Sequence, residues 1–505
     1  QHLPTFSLFY TFRLAYANAD GKSFPDDFWF GVSSAAYQVE GGWNADDKGL
    51  NIWDKLLHDN PSFSYQNANG DVACDTYHHG PDDVKYLKDM GLTHYRFSIA
   101  WSRILPNGRA DYVSEAGVAY YNKLIDALVA ANIKPLVTLY HWDLPNALQD
   151  LGGFLNTDMQ YWFEEYARVC FEKFGDRVKN WLTFNEPMST CREGYEDGTK
   201  APVIKNKGTG AYECAHSVLL SHGRAFRLYE KEFKTKQKGR VSITIDTSWY
   251  EPASQSEADK TAANRNMIFN YEWWMSPIIE GDYPELMRTV IAENSKEEGL
   301  SKSRLPAFTD DEKTMMKGTY DFVALNYYTS YLCSPGGDWG SKISSFYRDV
   351  KVDCNQPDDW APGSGWLRIT PWGMQRVLNY IKDRYGNPPV IITENGYSDN
   401  GELKDEVRVG YHRDYLSSLL DAVTDDGCNV FGYTAWSFLD DFEWSAGYLA
   451  KFGLLHVDFS DEARRRTRKY SSYIYEHIIK TRQIDYNYNP DFPPKVEGDN
   501  TTQQL

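Results

Sequence analysis

Apolar and polar positions along the chain follow two different periods. Eight short runs rich in apolar and β-branched residues read as strands, and longer segments between them repeat apolar residues at helical spacing, as in 120–133 and 411–423. The predicted strands lie within 28–38, 94–101, 134–142, 180–187, 240–249, 320–329, 389–397 and 430–438.

Strands that alternate with helices predict an α/β fold with a parallel sheet, and a count of eight favours closure into a single (β/α)8 TIM barrel with long βα loops. The alternative is an open, doubly wound sheet with a separate helical domain, but no Gly-rich phosphate loop follows any predicted strand. We expect the barrel to span 24–486, with an N-terminal extension at 1–23 and a disordered tail at 487–505.

Each predicted strand finishes in polar or aromatic residues. In this kind of barrel the carboxyl ends of the strands form the active-site face, so these groups should meet in one pocket. They are Gln38, Trp101, His141, Asn185 with Glu186, Trp249, Asn326 with Tyr328, Glu394, and Trp436.

The amino-acid composition argues against several classes of function. With 71 acidic against 53 basic side chains, the net charge is −18, which argues against nucleic-acid binding and against docking on anionic lipid. The sequence contains no run of 18 apolar residues, so no membrane span is predicted. Aromatic residues make up 15% of the chain, which fits either core packing or surfaces that stack on a sugar.

The seven cysteines are scattered and include no C-x-x-C pair, so neither zinc nor redox chemistry is indicated. Cys333 and Cys354 flank a Gly/Ser-rich loop and could form a disulfide. Residues 5–19 are apolar and end in Ala-Asn-Ala, like a signal-peptidase site, although Arg13 interrupts them. This segment favours secretion, for example into a digestive lumen. The alternative is that the segment derives from a cloning vector and is not a secretion signal.

Two glutamates carry the candidate chemistry. Glu186 ends the fourth strand and Glu394 ends the seventh, which places them across an eight-stranded barrel from each other. A single glutamate at a strand end is often only a hydrogen-bonded structural group. Two that face each other over a pocket are what glycosidic cleavage requires, because one protonates the departing oxygen and the other attacks C1 or activates water.

The surrounding motifs resemble glycoside hydrolase family 1, the β-glucosidase family. Asn185-Glu186-Pro187 and Thr393-Glu394-Asn395-Gly396 are similar to its two catalytic signatures, and the resemblance extends over about 26–482. It implies a retaining mechanism with Glu394 as nucleophile and Glu186 as general acid/base. It also places Arg96, Asn326 and Tyr328 around the catalytic carboxyls, with no metal or organic cofactor.

The same resemblance implies a glycone subsite with Trp436 as its stacking floor. Relatives that act on 6-phosphoglycosides lack a glutamate at position 443, and a carboxylate there would repel a phosphate. We therefore expect an unphosphorylated β-glucoside as the small-molecule partner, with galactosides or fucosides as further candidates. The implied glycone residues are Gln38, His141, Trp142, Asn185, Trp436, Glu443, Trp444 and Phe452.

The aglycone side leaves alternatives open. Trp372 matches a stacking position, and the segment around Arg192 resembles the insect branch of the family, which includes β-glucosidases and myrosinase-type thioglucosidases. Arg192 could meet a sulfated aglycone, although a surface ion pair with Glu193 or Glu196 is the favoured interpretation. A non-catalytic sugar-binding protein is a third hypothesis, and the oligomeric state, monomer or dimer, stays open.

Overall fold

The computed structural model describes residues 21–337, 344–363 and 365–494. Eight parallel strands close into a barrel in which every strand is hydrogen-bonded to two neighbours and the first strand pairs with the eighth. This confirms the predicted (β/α)8 architecture. The barrel strands, β1 to β8, are Trp29–Ser33, His94–Ser98, Lys134–Tyr140, Asn180–Asn185, Arg240–Asp246, Val323–Asn326, Val390–Glu394 and Val430–Trp436.

The strands are buried along almost their whole length because helices cover the barrel on the outside. The longer helices bury apolar side chains; the helix that begins after the Ser114 N-cap, for example, buries Tyr121, Leu124 and Leu128. The α-helices are Ala36–Val39, Ile52–Asp59, Thr76–Asp89, Trp101–Ile104, Glu115–Ala130, Asn146–Gln149, Met159–Phe174, Gly210–Leu228, Lys234–Gln237, Glu257–Met267, Trp273–Glu280, Glu285–Glu297, Asp310–Met316, Phe346–Val350, Trp372–Tyr385, Glu406–Thr424 and Tyr470–Thr481.

Shorter elements build the loops above the barrel. A π-helix, Ser189–Asp197, directly follows the end of β4, and two further π-helices are Tyr229–Phe233 and Ile268–Glu272. The 3₁₀ turns are Pro61–Phe63, Tyr65–Asn67, Gly153–Leu155 and Trp444–Ala446. The extra strands are Trp249–Pro252, Ser330–Pro335 and Val352–Asn355, which form one small sheet, and Leu455–Val457 with Arg466–Arg468, which form another.

Two disulfides fix these loops. Cys333 and Cys354 are cross-strand partners in the small sheet and are bonded, as their flanking positions suggested. Cys191 is bonded to Cys214 and ties the π-helix after β4 to the helix Gly210–Leu228, a link that the sequence did not reveal. Among the described residues no helix is long and apolar enough to cross a membrane.

The ends of the barrel domain meet. The Phe24 amide donates to the carbonyl of Arg482 at 2.8 Å. The chain beyond residue 486 also packs: the Tyr488 ring stacks on His477 at 3.6 Å, and Phe492 contacts Tyr470. The expected disorder from 487 onward is therefore wrong for 487–494. The apolar segment 5–19 and the last residues of the predicted tail lie outside the described residues.

Candidate active site

The polar strand ends converge on one cavity of about 920 Å³ at the carboxyl face of the barrel. This size suits a small organic ligand. Its wall includes Gln38 from the turn after β1, His141 after β3, Glu186 after β4, Asp246 at the end of β5 and Glu394 at the end of β7. The other predicted strand-end residues line the cavity as well, except Trp101 and Trp249. Both lie beyond the ends of their barrel strands: Trp101 begins a short helix and stacks on Tyr166, and Trp249 belongs to the small sheet.

Glu394 is held by two donors. Arg96, from β2, donates from Nη1 to Oε1 at 2.5 Å, and the Tyr328 hydroxyl donates to Oε2 at 2.7 Å. Arg96 is almost completely buried and also bonds Asn185 Oδ1 at 2.6 Å, so its position is fixed. Burial, followed by the charges of Glu394 and Glu186, raises the pKa of Tyr328 well above 10, which keeps it a donor. Both contacts suit an ionised, immobile carboxylate.

Glu186 is held differently. Its Oε1 accepts one bond, from Asn326 Nδ2 at 2.7 Å, and no guanidinium or ammonium group pairs with it in the described part of the chain. Burial, then the negative charges of Asp246 and Glu394, raise the pKa of Glu186 well above its usual value. A carboxyl in these surroundings favours the protonated form.

A continuous chain of hydrogen bonds joins the two carboxyls. From Glu186 it passes through the Asn326 amide, which also donates to Asn185 Oδ1 at 3.1 Å, and then through Arg96 to Glu394. All the linking side chains are buried. The two glutamates therefore have fixed relative positions and opposite surroundings, one cationic and one acidic.

Aromatic rings line the opposite wall. Trp142 and Trp444 lie 4.7 Å apart, and the His141 ring stacks between Trp436 and Trp444 with interplanar angles of 18° and 12°. The ammonium of Lys200 lies 3.7 Å from the centre of the Trp142 ring. These faces offer stacking area to a flat or ring-shaped ligand.

Polar atoms without protein partners border the same wall. Asn185 Nδ2 donates to His141 Nε2 at 3.1 Å, and burial, then Arg96 and Lys200, lower the pKa of His141 well below 6.5, so its ring is neutral. Within the described chain, His141 Nδ1 and Gln38 Oε1 are buried and have no protein partner. Such atoms cost free energy unless a ligand or water satisfies them, so this wall is suited to a ligand with several hydroxyls.

Glu443 and its neighbours form the inner corner of the cavity. Trp436 Nε1 donates to Glu443 Oε1 at 3.2 Å. Gln38 Nε2 donates to the Phe442 carbonyl at 3.0 Å and, more weakly, to Asp441 Oδ1 at 3.4 Å. These bonds fix one carboxyl acceptor and one amide next to the aromatic wall.

Charged residues of both signs line the outer part of the cavity. Arg192, on the π-helix after β4, pairs with Glu193 at 3.6 Å, and Lys200 pairs with Glu193 at 3.0 Å. Burial raises the pKa of Asp246 to about 6, even though Arg192 opposes the shift. Arg192 therefore forms the expected ion pair with Glu193, but not at the open surface. Its side chain is 20% exposed and lines the cavity beside Tyr347.

Three residues of the cavity wall have left-handed backbone conformations. Trp142, Glu186 and Trp444 all have positive φ angles, of 72°, 46° and 52°. Non-glycine residues in this region cost on the order of 1–3 kcal/mol each and persist where the surroundings hold them. The strain turns these three side chains into the cavity.

Gly396 allows β7 and β8 to end close together. A Cβ at this position would lie 1.7 Å from the Trp436 carbonyl oxygen. We expect Gly396→Ala to lower the free energy of unfolding by about 3 kcal/mol, measured by denaturant titration, because backbone must move to admit the methyl group.

Gly410→Ala is the matched control, since it lies inside the helix Glu406–Thr424 with nothing within 4 Å of the added Cβ. It should be neutral or stabilising by up to about 1 kcal/mol. Equal destabilisation by the two substitutions would contradict this account of Gly396.

The arrangement has the elements of glycosidic bond cleavage: a carboxyl held by two donors, a second carboxyl whose raised pKa favours the protonated form, and a wall of rings and hydroxyl-binding groups. A family model tests this interpretation over the whole chain. The model of glycosyl hydrolase family 1 matches residues 20–484. The chain belongs to glycosyl hydrolase family 1.

Individual relatives agree with this family. Myrosinase 1 of Brevicoryne brassicae is 46% identical to this chain, and the match covers 91% of this chain and 98% of that protein. The cytosolic beta-glucosidase of Cavia porcellus is 43% identical, and the match covers 92% of this chain and 99% of that protein. Among solved structures, aphid myrosinase superposes with a TM-score of 0.88 at 45% identity, covering 91% of this chain and 99% of that one. A family 1 β-glucosidase from Thermotoga maritima superposes with a TM-score of 0.83 at 36% identity, covering 92% of this chain and 99% of that one. The chain is therefore a glycosidase that acts on small glycoside substrates.

Most residues implied by the family 1 motifs line the cavity, but Arg96 and Trp372 do not. Arg96 is buried and reaches the site through its bond to Glu394. Trp372 begins the helix Trp372–Tyr385, where its ring contacts Trp360 and Arg376 and does not line the cavity. Trp366 occupies the cavity wall instead, 52% exposed and edge-on to Tyr328 at 5.5 Å. Phe452 also lines the wall, edge-on to Tyr328 at 6.3 Å.

Sequence reasoning missed Lys200 and Trp366 in this family 1 site. Both lie in loops without a regular period, so no local pattern marks them. Lys200 lies in the loop that follows the π-helix, near Cys191, whose disulfide helps to fix that segment. Asp246, at the end of β5, also lies in the cavity wall.

Proposed function

We propose that the chain is a retaining β-glycosidase that hydrolyses unphosphorylated β-D-glucosides by double displacement. One observation carries the proposal: Glu394 receives donors from Arg96 and Tyr328, whereas burial and acidic neighbours raise the pKa of Glu186. Two carboxyls held in opposite protonation states match the roles of nucleophile and acid in this reaction.

In the first step, a Glu394 oxygen forms a bond to C1 of the sugar while the bond from C1 to the aglycone oxygen breaks. Glu186 delivers its proton to that oxygen, and the aglycone leaves as an alcohol. The ester of Glu394 carries no negative charge, so the pKa of Glu186 should fall. Glu186 can then remove a proton from water, which attacks C1 and releases the sugar together with a restored Glu394 carboxylate.

The inner cavity supports an unphosphorylated glycone. Gln38 Oε1, His141 Nδ1 and the Glu443 carboxyl offer acceptors and a donor for sugar hydroxyls beside the face of Trp436. An anionic Glu443 would repel a 6-phosphate. Glucose is the favoured glycone, with galactose and fucose as further candidates.

A thioglucosidase that acts on glucosinolates is the second candidate. Its support is the 46% identity to Myrosinase 1, together with Arg192, whose buried Nε has no protein partner among the described residues and which lines the cavity. Against it, Glu193 pairs with Arg192, and Asp246 adds a second carboxyl to the same wall. An anionic aglycone would meet as many acids as bases there, so the O-glucosidase is preferred.

A panel of glycosides separates these candidates. We expect an aryl β-glucoside to be hydrolysed with at least tenfold higher kcat/KM than a glucosinolate, and Arg192→Ala to change the first activity little. Arg224→Ala, at an ion pair away from the cavity, is the matched control. Preference for the glucosinolate, combined with a tenfold or greater loss in Arg192→Ala only, would favour the thioglucosidase.

The non-catalytic hypothesis is the third candidate and receives no support from the site, because both carboxyls and their hydrogen-bond network are intact. Turnover of any glycoside in the panel would exclude it. For location, we propose secretion, supported by the two disulfides, since such bonds persist mainly in oxidising compartments.

A further inference from the structure

Two carboxyl groups lie next to each other on the loop after β8. Asp441 is completely buried behind the cavity, and Glu443 lines the cavity wall. Their side chains are in hydrogen-bonding contact. Two cations of this region have other partners, since Lys469 pairs with Asp440 and Arg408 with Asp405, and Lys451 acts on Asp441 only through its charge, without a salt bridge. In the part of the chain that the structure describes, neither carboxyl of the pair has a salt-bridge partner.

The hydrogen bonds are satisfied when the two carboxyls share one proton, and they favour Asp441 as its holder, because Glu443 already accepts from Trp436 and Asp441 is the deeper group. Asp441 Oδ1 accepts from Gln38 at 3.4 Å, and no donor among the described residues is aimed at the buried Asp441 Oδ2. Glu443 Oε1 already accepts from Trp436. Two buried carboxylates in contact repel each other strongly, so the pair retains a proton. A proton on Asp441 Oδ2, donated to Glu443, uses the remaining atoms.

The electrostatic surroundings agree with a shared proton. Burial first, and Glu443 second, raise the pKa of Asp441 well above its usual value. Burial raises the pKa of Glu443 to about 7, against the lowering effect of its hydrogen bonds to Asp441 and Trp436. The other titratable groups that face the pair are Asp440, Lys451, Glu394, Lys200, Tyr328, Cys74, Tyr95 and Tyr448.

We propose that Asp441 is a positioning residue for the sugar: it holds a proton, donates it in a hydrogen bond to Glu443, and so keeps Glu443 an oriented acceptor for sugar hydroxyls. When this proton is lost, two adjacent anions repel each other and Glu443 loses its orientation. The affinity for the glycone should then fall as the pH rises. The inference rests on the proposed β-glucosidase function, because it assumes that the inner cavity holds the sugar.

The test is binding of glucose, an uncharged ligand, measured by calorimetry between pH 6 and pH 9. In the wild type the dissociation constant should rise above the midpoint of the pair, approaching about tenfold per pH unit for loss of one proton. Asp441→Asn should flatten this rise, because an amide can donate to Glu443 and accept from Gln38 at every pH. Asp441→Ala removes the donor and should weaken binding at every pH.

Asp458→Asn, on a surface turn, makes the same chemical change away from the cavity and should keep the wild-type profile. An unchanged pH dependence in Asp441→Asn would overturn the proposal. If that variant fails to fold, the wild type provides the test. The binding enthalpy of glucose near pH 8 is measured in two buffers of different ionisation enthalpy, and the difference gives the number of protons taken up on binding. We expect uptake, and zero uptake would refute the shared proton. Wild-type protein that binds glucose with this profile but hydrolyses no β-glucoside would refute the proposed function alone.

Discussion

Glu394→Gln should lower kcat on an aryl β-glucoside by at least about 10⁴-fold, the scale seen when a covalent nucleophile is removed. The amide has the same size as the carboxyl and can still meet Arg96 and Tyr328, so the site should keep its shape. An amide oxygen is a far weaker nucleophile than a carboxylate, and it cannot form the ester intermediate. The measurement is steady-state kinetics, with glucose binding by calorimetry as the check that the glycone subsite survives.

The matched control is Glu476→Gln, at an ion pair with Arg468 on the helix Tyr470–Thr481, which should keep wild-type kcat. Turnover of Glu394→Gln within tenfold of the wild type would exclude Glu394 as the nucleophile. Loss of both turnover and glucose binding would instead indicate that the substitution had disturbed the cavity.

Glu186→Gln should reduce kcat/KM by about 10²–10⁴-fold for substrates with poor leaving groups, the usual contribution of a general acid. An activated phenol leaves without protonation, so its displacement from C1 by Glu394 should be far less affected. The second step still lacks its base, so this substrate should give a burst of one phenol per active site followed by slow turnover. The measurement is kcat/KM against the pKa of the leaving group.

The pH profile gives a second measure of the same residue. The acid works only when protonated, and the raised pKa of Glu186 extends that form to higher pH. The kcat/KM of Asp441→Asn, whose glycone affinity should not depend on pH, should therefore fall as the pH rises through this pKa. The fall should be absent when Glu186→Gln is added to that variant. A loss that is uniform across leaving groups and leaves the alkaline fall in place would contradict the assignment.

The barrel was predictable because its strands are buried on both faces and leave nearly continuous apolar runs in the sequence. The ends were less accurate. The run 240–249 reads as one strand, whereas the barrel strand ends at Asp246 and a separate strand begins at Trp249. The small sheet that contains this strand is formed by partners distant in sequence, so no local period marks it.

The two glutamates were predictable because each ends a strand, and the carboxyl ends of all the barrel strands lie on the same face of the barrel. Loop residues have no such constraint. Trp372 and Trp366 are only six positions apart, yet one begins a helix outside the cavity and the other lies in its wall. Which one meets a ligand depends on the path of the loop, and that path is set by tertiary contacts.

The central claim is that Glu394 forms a covalent glycosyl intermediate, and the stereochemistry of the first product tests it most directly. Hydrolysis of an aryl β-D-glucoside is followed by ¹H NMR from the earliest minutes, before the released sugar mutarotates. Two displacements at C1 predict that β-glucose appears first and that the α-anomer grows in later. Initial release of α-glucose would mean a single displacement by water and would contradict the account.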